Sequence, residues 1–149
     1  MYADVEYHMM VFIHVFYGDE AAPYIKKILD IQTAQIKATA HAFDFDWHYQ
    51  SGYYPIHTMI QLDLLWERAL EAAGDEKQKA NVEIASLSWE FFKANQMQGE
   101  YFFLNPMRMQ EQEWLYDMYK KHGIDRVSSF SYLPEKDAIN FIQRPINWE

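Results

Sequence analysis

Within eight residues, Tyr17-Gly18-Asp19-Glu20-Ala21-Ala22-Pro23-Tyr24, the chain stops one helix and starts another. Upstream, the run from Met9 to Phe16 is apolar almost all round, the pattern of a buried helix. Gly18 can take the left-handed conformation that ends such a helix at no steric cost. Asp19 can accept hydrogen bonds from the free N–H groups of the next helix, and Glu20 favours the positive end of its dipole. Pro23 falls in the first turn, where an N–H has no intrahelical partner to lose. A chain with this junction near its start folds as a helical hairpin there.

The same punctuation recurs downstream. A first helix is expected from Asp4 to Tyr17, with Val5, Met9, Phe12 and Phe16 on one stripe. A second runs from about Glu20 to Ala40, with Ile25, Ile28, Leu29, Gln32 and Ile36 at helical spacing. A third lies near His57–Ala73, its apolar face made by Leu62, Leu65, Trp66, Ala69 and Ala73. Gly74 closes it, and Asp75 with Gln78 resembles a capping box for the fourth, which extends to about Ala94. Two adjoining rows on that helix, Ile84-Leu87-Phe91 and Val82-Ala85-Trp89-Phe92, predict burial on two sides, and Gly99 weakens or ends it. Asn105-Pro106 opens a fifth that ends at His122-Gly123, with Trp114, Leu115, Met118 and Tyr119 buried. Residues 124–149 read as an irregular tail with a short helix after Pro134.

The expected fold is therefore all-α: about five helices in an irregular antiparallel bundle, with an aromatic inter-helix loop. At 149 residues one domain is expected, able to bury about 68–70% of the surface of the unfolded chain. No repeat, low-complexity segment or linker interrupts it.

Charge excludes several functions. A formal net charge of −9, with basic residues scattered, argues against nucleic acid and anionic membrane surfaces. Lys120, Lys121 and His122 read as last-turn cations on a helix dipole. The absence of cysteine rules out disulfides, thiolate metal sites and thiol nucleophiles, and leaves the compartment open. The longest apolar run, Met9 to Ile13, is too short to span a bilayer, and no signal peptide is visible.

No catalytic motif is present. A glycine-rich phosphate loop, a Gly-x-Ser-x-Gly elbow, a His-Glu-x-x-His pair and EF-hand spacing are all missing. His41, Asp44, Asp46 and His48 make a weak metal constellation, so neither metal nor cofactor is expected. His8 and His14 are six apart and fall on different faces; His8 reads as a hydrogen-bonded, partly buried residue. The acids Glu67, Glu71, Glu76, Glu83 and Glu90 read as solvated helix surface rather than paired glycosidase carboxylates.

One stretch invites a ligand. Phe43 to His57 holds six aromatics in fifteen residues, and Phe43-Asp44-Phe45-Asp46-Trp47 alternates strictly. If extended, it puts both carboxylates on one side and three rings on the other. Trp47, Tyr49, Tyr53 and Tyr54 with Asp44 and Asp46 are thus the candidate binding residues, rings stacking on a sugar and carboxylates accepting its hydroxyl protons. The competing reading is a long connection that anchors itself by burying its rings.

The segment Phe16-Tyr17-Gly18-Asp19-Glu20-Ala21-Ala22-Pro23-Tyr24-Ile25 resembles a recurrent stretch of the bacterial family known as domain of unknown function 4838. These are large proteins with a glycoside-hydrolase-like TIM barrel, in which a Tyr-Gly-x-Ala-Ala-Pro-Tyr-Ile hairpin opens the helical region after the barrel. This chain carries one extra residue, at Asp19-Glu20. Leu64-Leu65-Trp66-Glu67-Arg68-Ala69, Val82-Glu83-Ile84-Ala85-Ser86-Leu87-Ser88 and Lys121-His122-Gly123-Ile124-Asp125-Arg126-Val127-Ser128 resemble later family segments in order. The resemblance implies a single helical domain over residues 1–149, a fragment lying C-terminal to a barrel, with catalytic residues only in that missing part. It implies a non-catalytic accessory domain whose partner is the barrel of the parent chain, itself often exported. The two rival readings are a carbohydrate-binding module built on the Phe43–His57 loop and a free-standing helical interaction domain.

Overall fold

The computed structural model describes residues 4–39, 54–95, 108–128 and 131–132. The all-α expectation is met: the described residues form five helices, α1 (Val5–Tyr17), α2 (Ala22–Thr39), α3 (Ile56–Ala72), α4 (Glu76–Asn95) and α5 (Arg108–Lys121). The tail is not wholly irregular, because β1 (Arg126–Ser128) and β2 (Ser131–Tyr132) pair antiparallel with a shift in register. The expected Gly99 stop, the Asn105-Pro106 start and the helix after Pro134 lie outside the described residues. The described residues group into two compact units, one from α1 to Ser86 in α4, the other from Leu87 onward.

In the first unit α2 packs on α1 and on α3. The core draws Ile13 from α1, Ala22, Ile25 and Ile28 from α2, Met59, Leu62, Leu65 and Ala69 from α3, and Val82 from α4. Spacing of three and four places each set on one helix face, which is why these apolar residues can be buried together. The expected α3 face is buried as read, except that Trp66 is only half-buried and its Nε1 meets no partner among the described residues.

The helix ends follow local chemistry. Asp4 caps α1, its Oδ1 accepting the Tyr7 N–H at 3.0 Å. Asp75 caps α4 by accepting the Gln78 N–H at 2.7 Å, while Gln78 Oε1 reaches back to the Gly74 N–H at 2.9 Å. The capping box is thus present, displaced by one residue on its return bond. At the end of α5, Gly123 (φ 67°) donates to Lys120 O and Ile124 donates to Tyr119 O, the paired bonds of a Schellman close.

The opening junction departs from expectation in two respects. Gly18 has positive φ, but its ψ of 155° sends the chain away extended instead of curling into a left-handed turn. Asp19 does not cap α2: its carboxylate sits 2.8 Å from His14 Nδ1, and α2 begins at Ala22, whose N–H bonds Gly18 O. The imidazole five residues upstream is reachable across the bend and captures the acid first. Pro23 does lie in the first turn of α2.

The second unit has its own small core of Leu87, Leu115, Tyr116 and Tyr119, with Phe91, Met118 and Ile124 packed against it. Trp114, expected inside, is 46% exposed, and Tyr116 takes its place in the core. The helix cannot turn both residues inward, being about 200° apart around its axis. Lys120 Nζ stands 5.6 Å from the centre of the Tyr116 ring. Trp89 and Phe92 stack 5.4 Å apart on α4.

Among the described glycines, Gly18 is the one least tolerant of substitution. Its φ of 93° is a conformation L side chains rarely adopt, and a Cβ there would sit 2.7 Å from Gln78 Cδ. Moving Gln78 aside would break its bond to Gly74. Gly18→Ala is expected to cost about 1–3 kcal/mol, read as a lower urea midpoint. Adding Gln78→Ala should recover only the contact part, since the backbone strain remains.

Candidate docking surface

Of the six residues expected to bind sugar, Tyr54 alone is among the described residues. Asp44, Asp46, Trp47, Tyr49 and Tyr53 lie outside the described residues, as do His41 and His48. Tyr54 is described, and at 9% exposure its ring offers no open face for stacking. Among the described residues no group of three or more His, Asp or Glu is placed to hold a metal ion. His8 is exposed rather than partly buried, its ring meeting Tyr7 edge-on at 5.4 Å.

What the structure presents is the outward side of α1. The run from Met9 to Phe16 was expected to be buried all round, yet Ile13 is the only buried side chain in the helix. Met9 and Met10 are half-buried. Val5, Phe12 and Val15 are 76%, 54% and 79% exposed, and Tyr7, Val11 and Phe16 also face water. The expected stripe Val5-Met9-Phe12-Phe16 is therefore largely the outer side. A helix with apolar residues on every side carries no amphipathic signal, so its sequence cannot say which face turns inward.

The rings at the C-terminal end of this face are organised. Phe12 and Phe16, one turn apart, stack at 5.0 Å and 18°. Tyr17 meets both edge-on, at 6.2 Å from Phe12 and 5.0 Å from Phe16. Such pairs add about 0.5–1.5 kcal/mol each beyond buried area, and they hold exposed rings in fixed positions. The helix is rigid enough at this end to present a shaped surface.

Ion pairs border the face, and the exposed His8 imidazole lies within it, one turn before Phe12. His14 and Asp19 pair at the junction, and Lys26 forms an ion pair with Asp30 at 2.7 Å and approaches Glu6 at 4.0 Å. The Asp30 hydrogen bond holds the Lys26 ammonium above its ordinary range, with the nearby carboxylate charges adding to it. Partial burial pushes the Tyr17 phenol up as well. In the second unit the buried Lys93 is matched by Glu90 at 2.9 Å. Each is a closed pair suited to structure, with no reacting group aimed at a cleft.

No family model, no curated protein and no solved structure matches this chain.

The Tyr17 and Lys26 shifts have one consequence. Both groups keep their protons to higher pH when folded, so the unfolded chain releases them first as pH rises past about 10. Stability contributed by these groups is complete below that range and declines above it. Tyr17→Phe should therefore lose less melting temperature than the parent chain between about pH 9 and pH 11; equal losses would show that Tyr17 is as free as an exposed tyrosine.

Proposed function

We propose that this chain is a non-catalytic helical accessory domain of a carbohydrate-active, glycoside-hydrolase-like protein, and that it packs against that protein's barrel through the outward face of α1. The observation that carries the proposal is the exposure of Val5, Phe12, Val15 and Phe16 on a helix with one buried residue. Apolar side chains grouped on one exposed helix side offer a partner domain something to cover, whereas apolar residues exposed singly need no explanation. The resemblance of Phe16–Ile25 to the junction that follows such barrels supplies the identity of the partner.

Size favours a tethered partner over a free one. A 13-residue helix is about 20 Å long and about 10 Å across, so one face offers at most a few hundred Å². A stable complex of separate chains buries about 800 Å² per partner. A linked domain needs far less, because tethering supplies a millimolar effective concentration. The rival reading, sugar binding by the Phe43–His57 loop, rests on Trp47, Tyr49 and Tyr53, with Tyr54 already covered.

The test has two parts. The coding sequence upstream should encode a barrel in the same reading frame; its absence overturns the proposal. In the parent protein, Phe12→Asp with Val15→Asp should release the helical domain to limited proteolysis. In the isolated chain the same pair should shift stability by no more than about 0.5 kcal/mol per site. Unaltered proteolysis of the parent would show that α1 is not the contact.

A further inference from the structure

The bonds that hold α1 are gathered at one end. The C-terminal carbonyls of a helix have no partner within it, and Phe16 O is one of them. Asn81 on α4 donates its side-chain amide to that oxygen at 2.7 Å, across 65 residues of sequence. One turn earlier on α4, Gln78 packs under Gly18, in space only a glycine leaves open. Ile13, the helix's single buried side chain, lies in the same half, and the Gly18 N–H bonds His14 O. The opposite end is different. Asp4 and every residue from Val5 to His8 are exposed, and across to α2 this end has the 4.0 Å approach of Glu6 to Lys26.

We infer that α1 is a cantilevered docking arm, clamped at its C-terminal end by Asn81 and Gln78, whose N-terminal turns open locally while the rest of the unit stays folded. A 13-residue helix is marginal in water without packing. Segments with few buried apolar contacts and exposed backbone bonds open at free energies well below that of global unfolding. The Asp4 cap gives the free end helical shape when it closes, and the clamp fixes the direction in which the arm points. Asn81 is thus a positioning residue: it touches no partner and sets where Phe12 and Phe16 are offered. A partner covering Val5 and Phe12 would order the free end as it binds. The inference rests on the docking reading for the arm's purpose alone, because its mechanics are a property of the isolated chain.

Hydrogen exchange of the isolated 149-residue chain tests this. Amides of Met9, Met10 and Val11, which bond carbonyls in the first turn, should exchange at least about tenfold faster than those of Phe16 to Gly18 and of Leu62 and Leu65 in α3. Asn81→Ala should speed exchange at the clamped end about three- to tenfold, the worth of one hydrogen bond, with α3 unchanged. Asn81→Asp removes the donor at nearly constant size and should do the same, which separates loss of the clamp from loss of packing. Slow exchange along the whole of α1 at the α3 rate would overturn the arm. Variants that leave the Phe16–Gly18 amides untouched would overturn the clamp. Neither result depends on whether a barrel exists.

Discussion

The meeting of Gly18 with Gln78 is the contact on which the first unit turns. Gln78 performs three tasks from one side chain position. Its N–H is capped by Asp75, its Oε1 receives Gly74, and its amide fills the space beneath Gly18. The end of α1, the start of α2 and the α3–α4 turn are tied at this point. Any residue but glycine at 18 would force Gln78 to choose between its bond and its place. Asn81, one turn on, extends the same seam to the Phe16 carbonyl.

That seam explains why α1 can remain so exposed. A helix normally stays put because one face is buried, and the loss of a single Leu or Ile from such a face costs about 2–5 kcal/mol. Here one isoleucine, a captured carbonyl and a shaped glycine substitute for a face. The apolar residues left over are available for a partner. Phe12 and Phe16 stack on each other there, with Tyr17 edge-on to both.

Features governed by local chemistry were legible in the sequence. The Gly18 stop, the Asp75–Gln78 box, the Gly123 close, the α3 face apart from Trp66 and the first turns of the α2 face at Ile25 and Ile28 depend on neighbours within four residues, whereas Ile36, on the same α2 spacing, is exposed. Features decided at long range were not. The spacing of Val5, Met9, Phe12 and Phe16 describes a stripe but not its direction; the buried side is centred to one flank of it, on Ile13, with only Met9 of the stripe turned partly inward. Asp19 was legible as a cap by type, yet His14 was within reach and took its carboxylate. Trp114 shares its helix with Tyr116, and only tertiary space determines which goes inside. The Asn81–Phe16 bond spans 65 residues and leaves no trace in either local pattern.

The candidate site obeys the same division. Aromatic residues interleaved with carboxylates, as in Phe43–Trp47, advertise sugar binding because the chemistry is visible residue by residue. The proposed docking face carries no such sign: Val5, Phe12 and Val15 read as core, and the structure leaves them exposed. Apolar surface is functionally ambiguous in sequence, since burial within a chain and burial against a partner draw on the same residues. What separates them is how much of the fold's own interior is available to receive each helix. For α1 that interior accepts Ile13 fully and Met9 and Met10 in part. The remaining valines and phenylalanines exceed what a soluble surface needs, and their grouping on one clamped helix makes partner burial the more economical explanation of their presence.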